Sequence, residues 1–344
     1  MKTPLELFIF TIFISFFISF LINKYLLKSG FLQNRQSQYF ENRWAVQPKP
    51  TIGGFSIFIV FLLNLFWLDS SWHYLLLPFA FAFLWGLIDD FYKMPALVKF
   101  SGQAVVASLL IFNENQIHIV ESEDLNIGFT FFWIVGTMNA SNMLDNMDGV
   151  LASITLVILF IGLLVMMEFR YTKIEEMYFV VSMMAAIGGF LYFNWSPAKM
   201  FMGDAGSQLL GALLAWLGIR YFWGFRNEAL EGFQIKQILV PILAFTIPLV
   251  DTSTVIFHRL RKRISPFVGG KDHLAHHLVY AGFSEKKAVK ILSTVSIISG
   301  LIVFFIADAV GTNMWISTNT YLVIAYWLIV WVILQVLYDK GIKP

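Results

Sequence analysis

Apolar stretches follow one another along this chain with so little between them that no water-soluble globule can be drawn from it. They run over about 5–27, 52–68, 72–88, 97–112, 127–141, 149–167, 175–193, 206–223, 236–257, 288–307 and 319–337. Most approach the roughly 20 residues that a helix needs to cross a bilayer. With 58% hydrophobic and only 13% charged residues, the apolar surface exceeds what the polar side chains could cover. The pattern predicts an all-α polytopic integral membrane protein with about 11 (10–11) transmembrane helices, the fifth stretch being the shortest. The first run is about twice the length of a signal-peptide core, and no small-residue cleavage site follows it, so a retained span is expected. No repeat, low-complexity tract or linker divides the chain, which reads as one domain over residues 1–344. The absence of cysteine removes structural disulfides and thiol catalysis from consideration.

Lysine and arginine set the orientation. If the segment after the first stretch is cytoplasmic, the loops on that side are about 28–51, 89–99, 140–148, 194–205 and 258–287, with the tail from 338, and they carry most of the 24 basic residues. The other side holds only Lys2, Arg170, Lys173, Arg220, Arg226 and Lys236. This asymmetry predicts the N-terminus outside and the C-terminus inside. A net charge of +2 distributed by topology forms no basic patch with interleaved aromatics, so no nucleic-acid partner is expected. The patterned polar residues all fall on the predicted cytoplasmic side. The outer loops offer only scattered acids, Glu121, Glu123, Asp124, Glu228 and Glu231.

Asn142 to Gly149 places four polar side chains in eight residues between two apolar runs. If the segment is helical, Asn142, Asp145 and Asp148 fall within about a 120° arc. Such residues also cap helices and make turns, but acids where a span meets water more often serve chemistry. Asp89 and Asp90 end the third stretch. Adjacent carboxylates diverge by about 100° on a helix, so at least one is expected to be structural or electrostatic. Lys99 precedes an apolar run, where a cation either meets an anion or snorkels. Asp204 stands between Gly203 and Gly206, a setting that lets backbone amides approach a phosphate and an acid hold a hard cation. Asn194 and Phe201, just upstream, add an amide and an aromatic face, although an aromatic in so apolar a chain is more often core. His273, His276 and His277 share i, i+3, i+4 spacing. With Arg259, Arg261, Lys262, Arg263 and Lys271 nearby, anion binding is favoured over zinc, and a solvated basic loop is the plain alternative.

Together these residues resemble the polyprenyl-phosphate N-acetylhexosamine-1-phosphate transferase family. The resemblance runs from about Lys49 to His277 through five motifs in order. They are Lys49-Pro50-Thr51-Ile52-Gly53-Gly54, Gly86-Leu87-Ile88-Asp89-Asp90, Asn142 to Gly149, Asn194-Trp195-Ser196-Pro197-Ala198 through Asp204, and Asp272-His273-Leu274-Ala275-His276-His277. It implies a bacterial plasma-membrane enzyme with its site on the cytoplasmic face, taking a UDP-N-acetylhexosamine and undecaprenyl phosphate, and it allows a homodimer. By the same resemblance Asp204 and Asn142 would hold Mg²⁺, or Mn²⁺ in its place. Lys49, Asp148, Asn194 and Phe201 would hold uridine. Asp89 and Asp90 would orient or deprotonate the lipid phosphate, Asp145 would belong to the catalytic acids, and Lys99, His273, His276 and His277 would contact phosphates. The phospho-muramoyl-pentapeptide branch carries three consecutive histidines, whereas here two residues separate His273 from His276-His277. That departure favours the branch using UDP-N-acetylglucosamine or a related sugar, with the muramoyl-pentapeptide transferase as the alternative. A secondary transporter would place its acids near mid-membrane in interrupted helices, often with an internal repeat, and neither feature is present in the sequence.

Overall fold

The computed structural model describes residues 4–30, 49–67, 70–168, 172–224, 235–266, 270–311 and 317–340. Of the predicted loop 28–51, residues 31–48 lie outside the described residues, as do Lys2, Arg170, Arg226, Glu228 and Glu231. The described chain is helical, and its one strand-like feature is an isolated parallel bridge between Thr51 and Phe201. The helices are α1 (Pro4–Ser29), α2 (Gly53–Trp67), α3 (Leu76–Tyr92), α4 (Ala96–Phe112), α5 (Glu123–Leu144), α6 (Val150–Glu168), α7 (Ile174–Asn194), α8 (Gly203–Leu217), α9 (Lys236–Ala244), α10 (Thr246–Arg261), α11 (Leu274–Tyr280), α12 (Glu285–Gly311) and α13 (Ser317–Lys340). Six stretches of the described residues are long and apolar enough to cross a membrane, and the molecule is a polytopic membrane protein. The described part of every apolar stretch predicted from sequence is chiefly helical, with a 3-10 turn at Ser70–Leu75 leading into α3 and a π-helical turn at Gly218–Phe222 extending α8.

The ninth predicted span, 236–257, is not a single straight helix. It breaks between α9 and α10 with a bend of 82°. Pro248 explains the break: it lacks the N–H that would bond to the carbonyl of Ala244, and its ring clashes with that carbonyl. Thr246 Oγ1 hydrogen-bonds to the carbonyls of Ile242 and Leu243 at the break.

The centre of the bundle is α8, whose residues are buried along nearly its whole length. Helices α2, α3, α5 and α6 pack around it. Their close approach requires missing side chains. A Cβ at Gly86 in α3 would lie 2.3 Å from the Asp204 carbonyl oxygen, and one at Gly54 in α2 would lie 2.6 Å from the Gly206 nitrogen. Outside this core, α1 joins α7 and α2 through buried hydroxyls and amides: Ser15 to Ser182 at 2.6 Å, Ser19 to Ser56 at 3.1 Å and Asn23 to Ser56 at 2.8 Å. In lipid such bonds, together with close packing, replace the hydrophobic force as the glue between helices. Leu5, Phe13, Phe17 and Tyr25 on α1, and Tyr321, Leu322 and Val332 on α13, stay exposed, as suits lipid contact.

Candidate active site

Each motif predicted on one side arrives at the same end of the bundle, where three groups of side chains meet. The first group forms around α8. Lys93, in the left-handed region at φ 45°, caps α3 by bonding to the Asp89 carbonyl, and this sharp exit returns the chain into α4. Asp89 is buried, pairs with the ammonium of Lys99, and accepts a hydrogen bond from the Met94 amide at 2.7 Å. The same ammonium lies 3.3 Å from Asp204 Oδ2, while Asp204 Oδ1 accepts from Asn142 Nδ2 at 2.7 Å. Asn142 also donates to Ser207 at 2.9 Å. One turn deeper, Gln103 donates to Asn139 and to Gln208, each at 3.3 Å.

Asp90 faces elsewhere. Its two carboxylate oxygens accept from the amides of Asp204 at 2.8 Å and Ala205 at 2.9 Å. A helix leaves its first amides without internal partners, and Asp90 supplies the cap for α8 from a neighbouring helix. This corrects the expectation that the α8 amides await a phosphate: two of them are occupied, and the glycines there serve close packing. It also divides the Asp89-Asp90 pair into a residue facing Lys99 and a residue that positions α8.

The second group lies beside the first. The chain from Pro50 to Gly54 runs along 201–202, with Phe201 N bonded to the Pro50 carbonyl at 2.9 Å and the amides of Gly53 and Gly54 bonded to the carbonyls of Phe201 and Met202, each at 3.0 Å. This pairing brings Lys49 to 3.2 Å from Asp148 and to 5.1 Å from the centre of the Phe201 ring. Asp148 also accepts from the Ala198 amide at 2.8 Å, and Asn194 bridges the Gly149 amide and the Met200 carbonyl, each at 3.0 Å. The expected common face of Asn142, Asp145 and Asp148 does not form, because α5 ends at Leu144. Asp145 is the half-buried C-cap of α5, and Asp148 lies in the following turn, where Gly149 takes φ +76°.

The third group is the histidine segment. The three rings share no face, since His273 is the N-cap of α11, and each ring has its own partner. His273 Nδ1 meets Asp251 at 2.8 Å, His276 Nε2 meets the Asn146 carbonyl at 3.4 Å, and His277 Nδ1 meets the Tyr338 carbonyl at 2.8 Å. Burial, helped by the neighbouring His273, pushes His276 down to about 3, and burial likewise lowers His277. Both rings are therefore neutral near pH 7, and each bonds a backbone carbonyl through one nitrogen. Arg259, itself buried, grips Asp272 through two bonds of 2.7 and 2.6 Å and the Pro266 carbonyl through a third of 2.8 Å. Although burial opposes it, that guanidinium holds the Asp272 carboxyl below the usual range. Sequence reasoning missed Asp251. Its signal was an acid inside an apolar stretch.

The first group supplies the donor types a hard cation takes, with the Lys99 ammonium lying against both carboxylates in this structure. Asp89 and Asp204 set two carboxylates against one ammonium, and with the Asn142 amide they form an oxygen-rich donor set of the kind Mg²⁺ or Mn²⁺ prefers. Among the described residues no three His, Asp or Glu side chains converge on a metal position. An ion here would take most of its shell from substrate and water.

The helical membrane bundle thus gathers a charged, oxygen-rich group of side chains at one end. Residues 72–222 match the model of glycosyl transferase family 4. The chain is 27% identical over 241 residues to the probable undecaprenyl-phosphate N-acetylglucosaminyl 1-phosphate transferase of Bacillus subtilis, covering 67% of this chain and 64% of that relative. It is 29% identical over 288 residues to the phospho-N-acetylmuramoyl-pentapeptide-transferase of Staphylococcus haemolyticus, covering 74% and 83%. The same enzyme of Staphylococcus aureus strain Newman is 29% identical over 283 residues. The matched region contains Asp89, Asp90, Lys99, Asn142, Asp145, Asp148, Asn194, Phe201 and Asp204, while Lys49, Asp251, His273, His276 and His277 lie outside it.

Proposed function

We propose that this protein is a phosphotransferase that moves a sugar-1-phosphate, most simply N-acetylglucosamine-1-phosphate, from a UDP-sugar to undecaprenyl phosphate, releasing UMP and initiating a cell-envelope glycan. The observation that carries this reading is the adjacency of two unlike groups: the charged set of Asp89, Lys99, Asn142 and Asp204, suited to phosphates, and the set of Lys49, Asp148, Asn194 and Phe201, suited to a nucleoside. An oxygen of the lipid phosphate forms a bond to the sugar-bearing phosphorus as that phosphorus loses its bond to UMP. Both reactants are anions, so their repulsion must be offset where they meet. Lys99 supplies a fixed positive charge there, aimed by Asp89 and Asp204. A phosphate monoester has a second pKa of about 6 and is largely ionised at neutral pH. Direct attack therefore needs positioning more than activation. A residual proton would pass to Asp89, which faces Lys99 and Asp204, whereas Asp90 faces the first amides of α8. Mg²⁺, held by Asp204 with Asn142, would neutralise pyrophosphate charge.

The rest of the reading is topological. Eleven crossings in one domain, with the N-terminus out and the C-terminus in, put this end of the bundle at the cytoplasmic surface of a bacterial plasma membrane, where UDP-sugars are found and a lipid phosphate lies at headgroup depth. The spacing of His273 from His276-His277 favours an N-acetylhexosamine donor. The longer alignment to the Staphylococcus relatives supports UDP-MurNAc-pentapeptide as the second reading. Membranes containing the protein should release UMP from one of these donors only when undecaprenyl phosphate and Mg²⁺ are both present. Turnover with UDP-MurNAc-pentapeptide and none with UDP-N-acetylhexosamines would select the second reading. A stoichiometric UMP burst without lipid would replace direct attack by an aspartyl-phosphate route, and no release from any donor would refute the proposal.

A further inference from the structure

Asp251 lies in α10, is 1% exposed, and takes no part in either substrate group. One oxygen accepts from the Leu274 amide at 2.7 Å and the other meets His273 Nδ1 at 2.8 Å. An ionised carboxylate can only accept, and the tautomer that suits it carries its proton on Nδ1. That assignment leaves Nε2 as the ring nitrogen available to a ligand. His273 is 5% exposed, so packing as well as this bond fixes its ring. The segment it begins reaches the charged end of the bundle through His276, which contacts the carbonyl of Asn146, the residue between Asp145 and Asp148 in the loop after α5.

We infer that Asp251 is a positioning residue that fixes the tautomer and orientation of His273, so that Nε2 is the nitrogen presented to a substrate phosphate. The inference rests on the transferase reading for the identity of the ligand, while the Asp251–His273 geometry stands without it. Burying a carboxyl group to 1% exposure is costly unless hydrogen bonds compensate it. The cost is accepted here for two hydrogen bonds that act together, one locating the start of α11 and one aiming the ring. Both protonation states of the ring keep the Nδ1–H on Asp251. Nε2 can therefore accept a proton from a phosphate hydroxyl or donate one to an ionised oxygen without any movement of the imidazole.

The test uses Asp251→Asn, Asp251→Glu, His273→Gln and the double variant Asp251→Asn/His273→Gln in full-length protein. Asparagine keeps an oxygen for the Leu274 amide but turns an NH₂ toward the ring, which forces the proton from Nδ1 to Nε2. Asp251→Asn should elute and melt as wild type, yet lose about a hundredfold in kcat with the KM for UDP-sugar little changed, and Asp251→Glu should recover part of the loss. Residues acting as one unit are non-additive, so the double variant should be no slower than His273→Gln alone. Losses that multiply, or an Asp251→Asn variant with normal kcat, would overturn the inference. A second measurement works whether or not the enzyme turns over: ¹⁵N spectra of histidine-labelled protein in nanodiscs should show His273 protonated at Nδ1 in wild type and only at Nε2 in Asp251→Asn. An unprotonated Nδ1 in wild type defeats the inference outright. Inactivity of wild type toward every UDP-sugar defeats only the transferase reading.

Discussion

Asp204 is the residue on which the charged group turns, with Lys99 on one carboxylate oxygen, Asn142 on the other, and its own amide held by Asp90. Replacing it by asparagine preserves size and most hydrogen bonding while removing the charge. Charge stabilisation by a cation at a reacting phosphoryl group is worth several kcal/mol, so Asp204→Asn should lower kcat/KM by more than about a hundredfold and blunt the Mg²⁺ response. Near-normal turnover with an unchanged Mg²⁺ titration would place the cation elsewhere. His276 tests burial instead of charge. Its folded value of about 3 lies below the ordinary 6.5, so between those values the unfolded chain binds the proton and the folded protein does not. Stability is therefore complete above about pH 6.5 and falls with pH across the window below it, by up to ~1.4 kcal/mol per pH unit. Thermal unfolding in detergent between pH 7.5 and 5 should show this slope, and His276→Gln should flatten it.

At the scale of elements, the site depends on how closely α3 and α2 approach α8. A methyl group at Gly86 meets the Asp204 carbonyl, whereas at Gly136 in α5 it meets nothing within 4 Å. Overpacking typically costs about 1–3 kcal/mol. Gly86→Ala should thus lower the melting temperature and displace Asp204 enough to impair turnover, while Gly136→Ala should leave both intact. Equal behaviour of the two variants would show that the close approach is immaterial. Asp90 tests the same contact through its cap: Asp90→Ala strands two α8 amides, at about 1–3 kcal/mol for each buried donor left unpaired. Its melting temperature should fall further than that of Asp90→Asn, which keeps one acceptor. The break between α9 and α10 was legible in advance at Pro248. An apolar window hides it because a bent pair of helices and one straight helix can have the same hydropathy.

For the whole molecule, the decisive measurement is orientation, and a chain without cysteine is already prepared for it. Lys262 and Glu123 are both exposed, at opposite ends of the predicted topology. In intact cells Glu123→Cys should react with a membrane-impermeant maleimide, and Lys262→Cys should react only after permeabilisation. The reverse pattern would move the gathered motifs to the outer face, where the proposed donor is absent.

Much of this arrangement was readable along the chain. Helix positions follow from local apolar patterning, and alternation of crossings carries Asp89, Lys99, Asn142, Asp148, Asn194 and Asp204 to one end whatever the helices pack against. Which residue meets which could not be read that way, because it depends on the lateral order of helices. That order is decided by the glycines that let α2 and α3 close on α8, and by buried polar bonds between segments far apart in sequence. Only there did Asp89 and Asp90, adjacent and chemically identical, become the partner of Lys99 and the cap of α8. Likewise the histidine spacing drew attention to one helical face, but packing against Asp251, the Asn146 carbonyl and the Tyr338 carbonyl gave each ring a different task. Local chemistry limits what a side chain can do, and its neighbours in the folded bundle decide which of those things it does.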